Sequence, residues 1–181
     1  MTLDQYRSSA KVFFDPLVAV AIRLRLTPNF FTIAALLASM AAGLLFFFNM
    51  LLWAVVAVAA NAFCDAMDGA VAREMKAQSK RGDFLDHAVD RYADIFIITG
   101  IFAGGLVPWQ IGVFALTGVL MSSYLGTQAQ AVGVGRYYGG ILGRADRLVM
   151  ILVVGIASLL YSSPIVGLTL FGWMLVLFGF F

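Results

Sequence analysis

Residues 61–94 read NAFCDAMDGAVAREMKAQSKRGDFLDHAVDRYAD, and most of the chain's acidic residues fall within them. Around this stretch the sequence changes character. No charged residue lies at 26–64, at 95–135 or after Arg147. Of the 181 residues, 62% are apolar and 12% are charged. Soluble domains average roughly 45–50% apolar and 25% charged, so water cannot be the main solvent of this chain. The stretch therefore reads as the polar ends of two long apolar helices that emerge on one side of a bilayer.

Six apolar segments follow from this reading: 27–48, 51–76, 82–105, 108–132, 144–161 and 164–181. A helix of ~20 residues rises ~30 Å and crosses the hydrocarbon core. The second and third segments are longer and should project from the membrane. Thr27-Pro28 looks like a helix start, with a capping hydroxyl before a proline at the first helical position. The predicted fold is all-α, a single membrane domain over 1–181. It comprises a six-helix bundle at 27–181 preceded by an amphipathic surface helix at 2–15, where charges alternate with Phe13 and Phe14. No removable targeting segment is expected, because the charges do not precede an unbroken apolar run. The sixth span is expected to end at the interface or to be clipped. Cys64 stands alone, so no internal disulfide forms; it reads as a small packing residue.

The basic residues fall at 7–25, 73–81, Arg91 and 136–147. The connections near 47–52, 103–110 and 160–166 are uncharged. This asymmetry places the charged face in the cytoplasm, in a multi-pass protein of the cell membrane. Gly100 and Gly104 form a small-xxx-small pair that can bring two helices close.

Four aspartates mark the emerging ends. Asp65 and Asp68 are three apart, and Asp86 and Asp90 are four apart, so each pair shares one helix face. Two such faces turned together make an all-oxygen site suited to Mg²⁺, Mn²⁺ or Ca²⁺ rather than Zn²⁺. Each unpaired carboxylate at membrane depth costs roughly 3 kcal/mol on insertion scales. Clustered anions also repel, so a cation must compensate. Arg73 and Arg91 alone do this less well than a divalent ion, and a purely structural Asp–Arg network would not need four acids. His87 adjoins Asp86, but a helix turns ~100° per residue, which should direct its ring elsewhere. No Ser, Cys or His is placed for a covalent intermediate.

The full run is Asp65-x2-Asp68-Gly69-x2-Ala72-Arg73-x8-Gly82-x3-Asp86-x3-Asp90. It resembles the signature of the CDP-alcohol phosphotransferase family, D-x2-D-G-x2-A-R-x8-G-x3-D-x3-D, at every fixed position. The six-span topology is also similar, so the resemblance covers nearly the whole chain. It implies a metal-dependent transfer from a CDP-linked lipid to a small hydroxyl acceptor, releasing CMP. It implies that Asp65, Asp68 and Asp86 ligate metal, with Asp86 bridging two ions. Asp90 would ligate the second ion and serve as general base. Gly69 would admit the diphosphate, Arg73 would contact it, and Ser79 and Gly82 would lie near the nucleotide with Asp65 and Asp68. Pro28-Asn29 resembles the segment lining the cytidine site.

The acceptor is read from Gly143-Arg144-Ala145-Asp146-Arg147-Leu148. This resembles the E-R-x-E-R-L segment of members that use inositol phosphate, whose arginines hold the acceptor phosphate; Gly143 replaces the first Glu. Residues 123–131 resemble S-Y-x-K-A-R-A-E-A, with Gly126, Gln128 and Gln130 in place of Lys, Arg and Glu. The stretch looks most like archaeal members, which implies CDP-archaeol as donor. The expected acceptor is glycerol phosphate, then inositol phosphate, then serine. Membrane lipids are the expected surroundings, a homodimer is compatible with the resemblance, and no nucleic-acid partner is expected. Outside the enzyme class, intramembrane carboxylates also suit a divalent-cation transporter, although the uncharged far face offers no exit route. An idle membrane scaffold would not need eight matched residues.

Overall fold

The computed structural model describes residues 7–133 and 142–180, with side chains from Phe14 onward. Among them seven helices follow in order: α1 (Arg7–Arg23), α2 (Pro28–Phe47), α3 (Leu51–Glu74), α4 (Lys80–Ala103), α5 (Trp109–Ala131), α6 (Arg144–Leu160) and α7 (Leu170–Phe180). The fold is all-α, as expected. Residues 2–6, the start of the predicted surface helix, and Arg136 lie outside the described residues.

Helix α1 runs past the predicted end at residue 15 and carries Pro16 within it. The apolar pattern continues through the proline, with Val18 and Ala21 buried beside Phe31, Met67 and Val71. The helix is thus anchored against α3. Pro28 opens α2 as its first residue, but Thr27 makes no side-chain cap; its carbonyl instead accepts from Phe30 N at 3.0 Å.

Helices α2, α3 and α5 are long and apolar enough to cross a membrane. Helix α4 matches α3 at 24 residues, but its first half carries the charges of 80–94. Helix α6 has 17 residues and α7 only 11. The sixth predicted segment, 164–181, is therefore helical only from Leu170. Val166 (φ 50°) and Gly167 (φ 81°) form a tight turn. Ile165 and Leu168 exchange backbone hydrogen bonds across it. Two successive positive-φ residues suit such a turn and cannot continue a right-handed helix. The Thr169 hydroxyl then accepts from Gly172 N at 3.0 Å, starting α7.

Apolar residues face both inward and outward. On α2, Phe31, Ala35, Ala42 and Phe46 are buried, while Ile33, Leu37, Leu44 and Phe47 are exposed. A helix apolar all round fits a lipid surround. Helix α2 packs against both α3 and α4. At its crossing with α4, a Cβ added to Gly43 would stand 2.5 Å from the Phe96 carbonyl oxygen, and Gly100 meets the Gly43 backbone directly. Gly104 likewise lies against Phe46 and Phe47, so the Gly100/Gly104 pair does bring two helices together. Deep in the bundle, Asn61 Nδ2 donates to the Ala35 carbonyl at 2.8 Å and ties α3 to α2. These contacts lock α2, α3 and α4 together within the bundle, and the chemistry-bearing residues lie at its other end, where α2 begins, α3 ends and α4 begins.

Candidate metal and nucleotide site

Asp65 and Asp68 occupy the last turns of α3; Asp86 and Asp90 occupy the second and third turns of α4. Ser79 caps α4, its Oγ accepting from Gly82 N at 3.1 Å. This cap sets where α4 begins, and hence which α4 turn faces α3. One carboxylate oxygen from each of Asp65, Asp68 and Asp86 lies within 4.8 Å of the others. Asp86, His87 and Asp90 form a second group by the same measure. Asp86 belongs to both, the arrangement that a bridging ligand needs. Hard oxygen donors at this spacing fit Mg²⁺ or Mn²⁺. His87 corrects the expectation that it points away: its ring reaches the group, and its Nε2 lies 3.7 Å from Asp83 Oδ1.

Beside the first group lies a cavity of about 370 Å³. Its lining includes Pro28, Asn29, Asp68, Gly69, Arg73, Ser79, Gly82 and Asp86, together with Thr27 and Thr32. Seven of the eight residues expected around the nucleotide thus meet there, though they come from three helices and a loop. Asp65 does not line it; it turns toward α6. Arg73 folds back over its own helix, so that a Cβ on Gly69 would stand 3.2 Å from Arg73 Nη1. Glycine at 69 leaves room for that guanidinium as well as for a ligand.

The cation beside the carboxylates is neither Arg73 nor chiefly Arg91. Arg144, from the start of α6, bridges Asp65 and Asp90. Arg91 stands 3.6 Å from Asp90. Arg147, one turn on, donates from Nη2 to Asp94 Oδ2 at 2.8 Å and from Nη1 to the Leu142 carbonyl at 3.2 Å. The two arginines expected to hold an acceptor phosphate therefore both reach the aspartate face of α4. Arg144 Nε and Nη2 and Arg147 Nε are buried with no hydrogen-bond partner among the described residues. Buried donors of this kind are costly unless an acceptor completes them.

Sequence reasoning missed Asp94 as a member of this face, although it continues the four-residue spacing of Asp86 and Asp90. It also missed Thr32, whose hydroxyl donates to Asp68 Oδ2 at 3.0 Å. No local signal marks Thr32, because its partner lies on another helix.

The profile of the CDP-alcohol phosphatidyltransferase family matches residues 25–181. The archaetidylinositol phosphate synthase of Pyrococcus horikoshii is 34% identical over 154 residues, covering 85% of this chain and 82% of its own. The crystal structure of Mycobacterium tuberculosis phosphatidylinositol phosphate synthase with CDP-DAG bound superposes with a TM-score of 0.77 at 26% identity, covering 91% of this chain and 85% of that one. The same synthase in complex with manganese and citrate gives 0.76 at 26% identity, covering 91% and 81%.

Proposed function

We propose that this chain, which belongs to the CDP-alcohol phosphatidyltransferase family, joins a CDP-linked lipid to inositol phosphate and releases CMP. Family membership makes the chain a phospholipid-synthesising transferase and leaves no need for a transporter or scaffold reading. The proposal concerns the substrates, the roles of individual residues and the side of the membrane. Inositol phosphate replaces glycerol phosphate as the preferred acceptor, because the relatives and the matching fold are inositol phosphate lipid synthases. CDP-archaeol is the proposed donor, with CDP-diacylglycerol second.

One observation carries the acceptor's chemistry. The unpaired guanidinium donors of Arg144 sit in the same side chain that touches Asp90. A phosphate accepted there would hold its own molecule's hydroxyl close to Asp90, and guanidinium suits a phosphate by its fork of donors. Asp90 then takes the hydroxyl proton as the oxygen attacks the lipid-bearing phosphorus. The bond from that phosphorus to the bridging oxygen breaks, and its electron pair leaves with CMP. Arg73, Gly69, Ser79 and Gly82 hold the nucleotide side, with Pro28 and Asn29 at its far wall. Asp65, Asp68, Asp86 and Asp90 would hold two divalent ions, which stabilise charge on the diphosphate as Lewis acids. The lipid tail stays among the helices, and the charged ends of α3, α4 and α6 face the cytoplasm.

The test supplies purified protein with CDP-archaeol or CDP-diacylglycerol, Mn²⁺, and a panel of inositol phosphate, glycerol phosphate and serine. Mass spectrometry of the lipid product is expected to show the inositol phosphate lipid. A glycerol phosphate product would overturn the acceptor. That second reading is favoured by Gly126 and Gln128, which stand where the similar inositol phosphate segment has basic residues.

A further inference from the structure

Asp68 is the most buried carboxylate of its group, 7% exposed, and Thr32 beside it is 5% exposed. The Thr32 hydroxyl has one proton and two acceptors in reach: Asp68 Oδ2 at 3.0 Å and the Pro28 carbonyl at 3.2 Å. The Pro28 contact is a local back-bond within the helix, worth little and slightly destabilising. Donation to an ionised carboxylate is roughly twice as strong as donation to a neutral oxygen. With Asp68 ionised, as a cation ligand must be, the hydroxyl proton is therefore directed to it.

We propose that Thr32 is a positioning residue for the metal site, fixing the orientation of the Asp68 carboxylate from a neighbouring helix. Several features make this more than helix packing. A carboxylate at the end of a two-bond side chain can rotate, and a cation site needs it held in one orientation. Partners that orient a ligand typically change metal affinity by roughly 10- to 100-fold when removed. Within the cation group, a hydroxyl is a suitable partner because it adds no charge. With Arg144 already on Asp65 and Asp90, a further lysine or arginine at this position would compete with the ion for Asp68. Thr32 also lines the same cavity as Pro28 and Asn29, one helical turn before it. Its hydroxyl therefore ties the α2 turn at the nucleotide wall to the α3 carboxylate at the metal group. The two halves of the site are held in register by this bond, across 36 positions of sequence.

The test compares Thr32→Val, which keeps the shape and removes the donor, with Thr32→Ala and Thr32→Ser. Mn²⁺ binding to the purified protein is read by electron paramagnetic resonance of the free ion, with CDP as the nucleotide probe. Thr32→Val and Thr32→Ala are expected to weaken Mn²⁺ binding roughly 10- to 100-fold, and Thr32→Ser to restore it. The unfolding midpoint of each variant is read alongside, and Thr32→Ala has no added atoms that could clash. Wild-type affinity in both variants that lack the hydroxyl overturns the proposal. The inference rests on the aspartates holding a divalent ion, and that premise fails separately, if the unmodified protein binds no Mn²⁺.

Discussion

Arg147 reaches from α6 into α4 and donates to Asp94 at 2.8 Å, with both side chains about 5% exposed. The pair is sealed from solvent, and it fixes how far the first turn of α6 sits from the aspartate face. Asp94→Asn leaves a buried guanidinium with no counter-charge, a change that costs about 3–5 kcal/mol in comparable buried pairs. Thermal unfolding in detergent should show a lowered midpoint. The double replacement Asp94→Leu with Arg147→Met should recover much of that loss, because a buried pair replaced by apolar groups is often neutral. A single variant as stable as the unmodified chain would show that the pair is not sealed.

Asp86 stands in both cation-holding groups. Asp86→Asn should abolish CMP release and weaken Mn²⁺ binding together, by more than the roughly 10- to 100-fold expected for a partner that only orients a ligand. Titration of Mn²⁺ by calorimetry, beside a CMP-release assay, checks both. Retained turnover would remove Asp86 from the site.

Arg144 carries the unpaired donors next to Asp90. Arg144→Ala should raise the acceptor KM roughly 10- to 100-fold, the loss of one charge-assisted hydrogen bond of about 1.5–3 kcal/mol. The donor KM should move less. Steady-state kinetics with each substrate varied in turn decides this. A larger rise in the donor KM would assign Arg144 to the nucleotide or lipid side.

Chelation offers a direct check on the cation. EDTA should stop CMP release, and excess Mg²⁺ or Mn²⁺ should restore it, since four clustered carboxylates supply the hard-oxygen donors these ions take. Full activity after chelation and desalting would contradict a metal-dependent transfer.

The crossing of α2 and α4 tolerates no side chain at Gly43. Gly43→Val should destabilise the protein by about 1–3 kcal/mol or more, because the added atoms meet the Phe96 backbone and not a movable side chain. A lowered unfolding midpoint with unchanged substrate KM values in the surviving fold is the expected result.

Much of this was legible in the residues themselves. Apolar runs on either side of 61–94 gave the helices and their ends to within a few positions from α2 to α6, because burial in lipid demands long uncharged stretches. The last segment was misread. Val166 and Gly167 form their turn through φ angles that hydropathy does not carry, so α7 begins at Leu170. The surface helix expected at 2–15 also stopped short, because α1 runs through Pro16 to Arg23 and is held by packing against α3.

By itself the sequence determined that carboxylates three and four apart would share helix faces, because that spacing is local and follows from helical geometry. Only the tertiary structure decided which cation meets which carboxylate. Arg144 finds Asp65 across 79 positions, Arg147 finds Asp94 across 53, and Thr32 finds Asp68 across 36. Such pairings depend on the angle and depth at which helices cross, set here by glycine contacts and by the starts of α4 and α6. No pattern along a single helix encodes them.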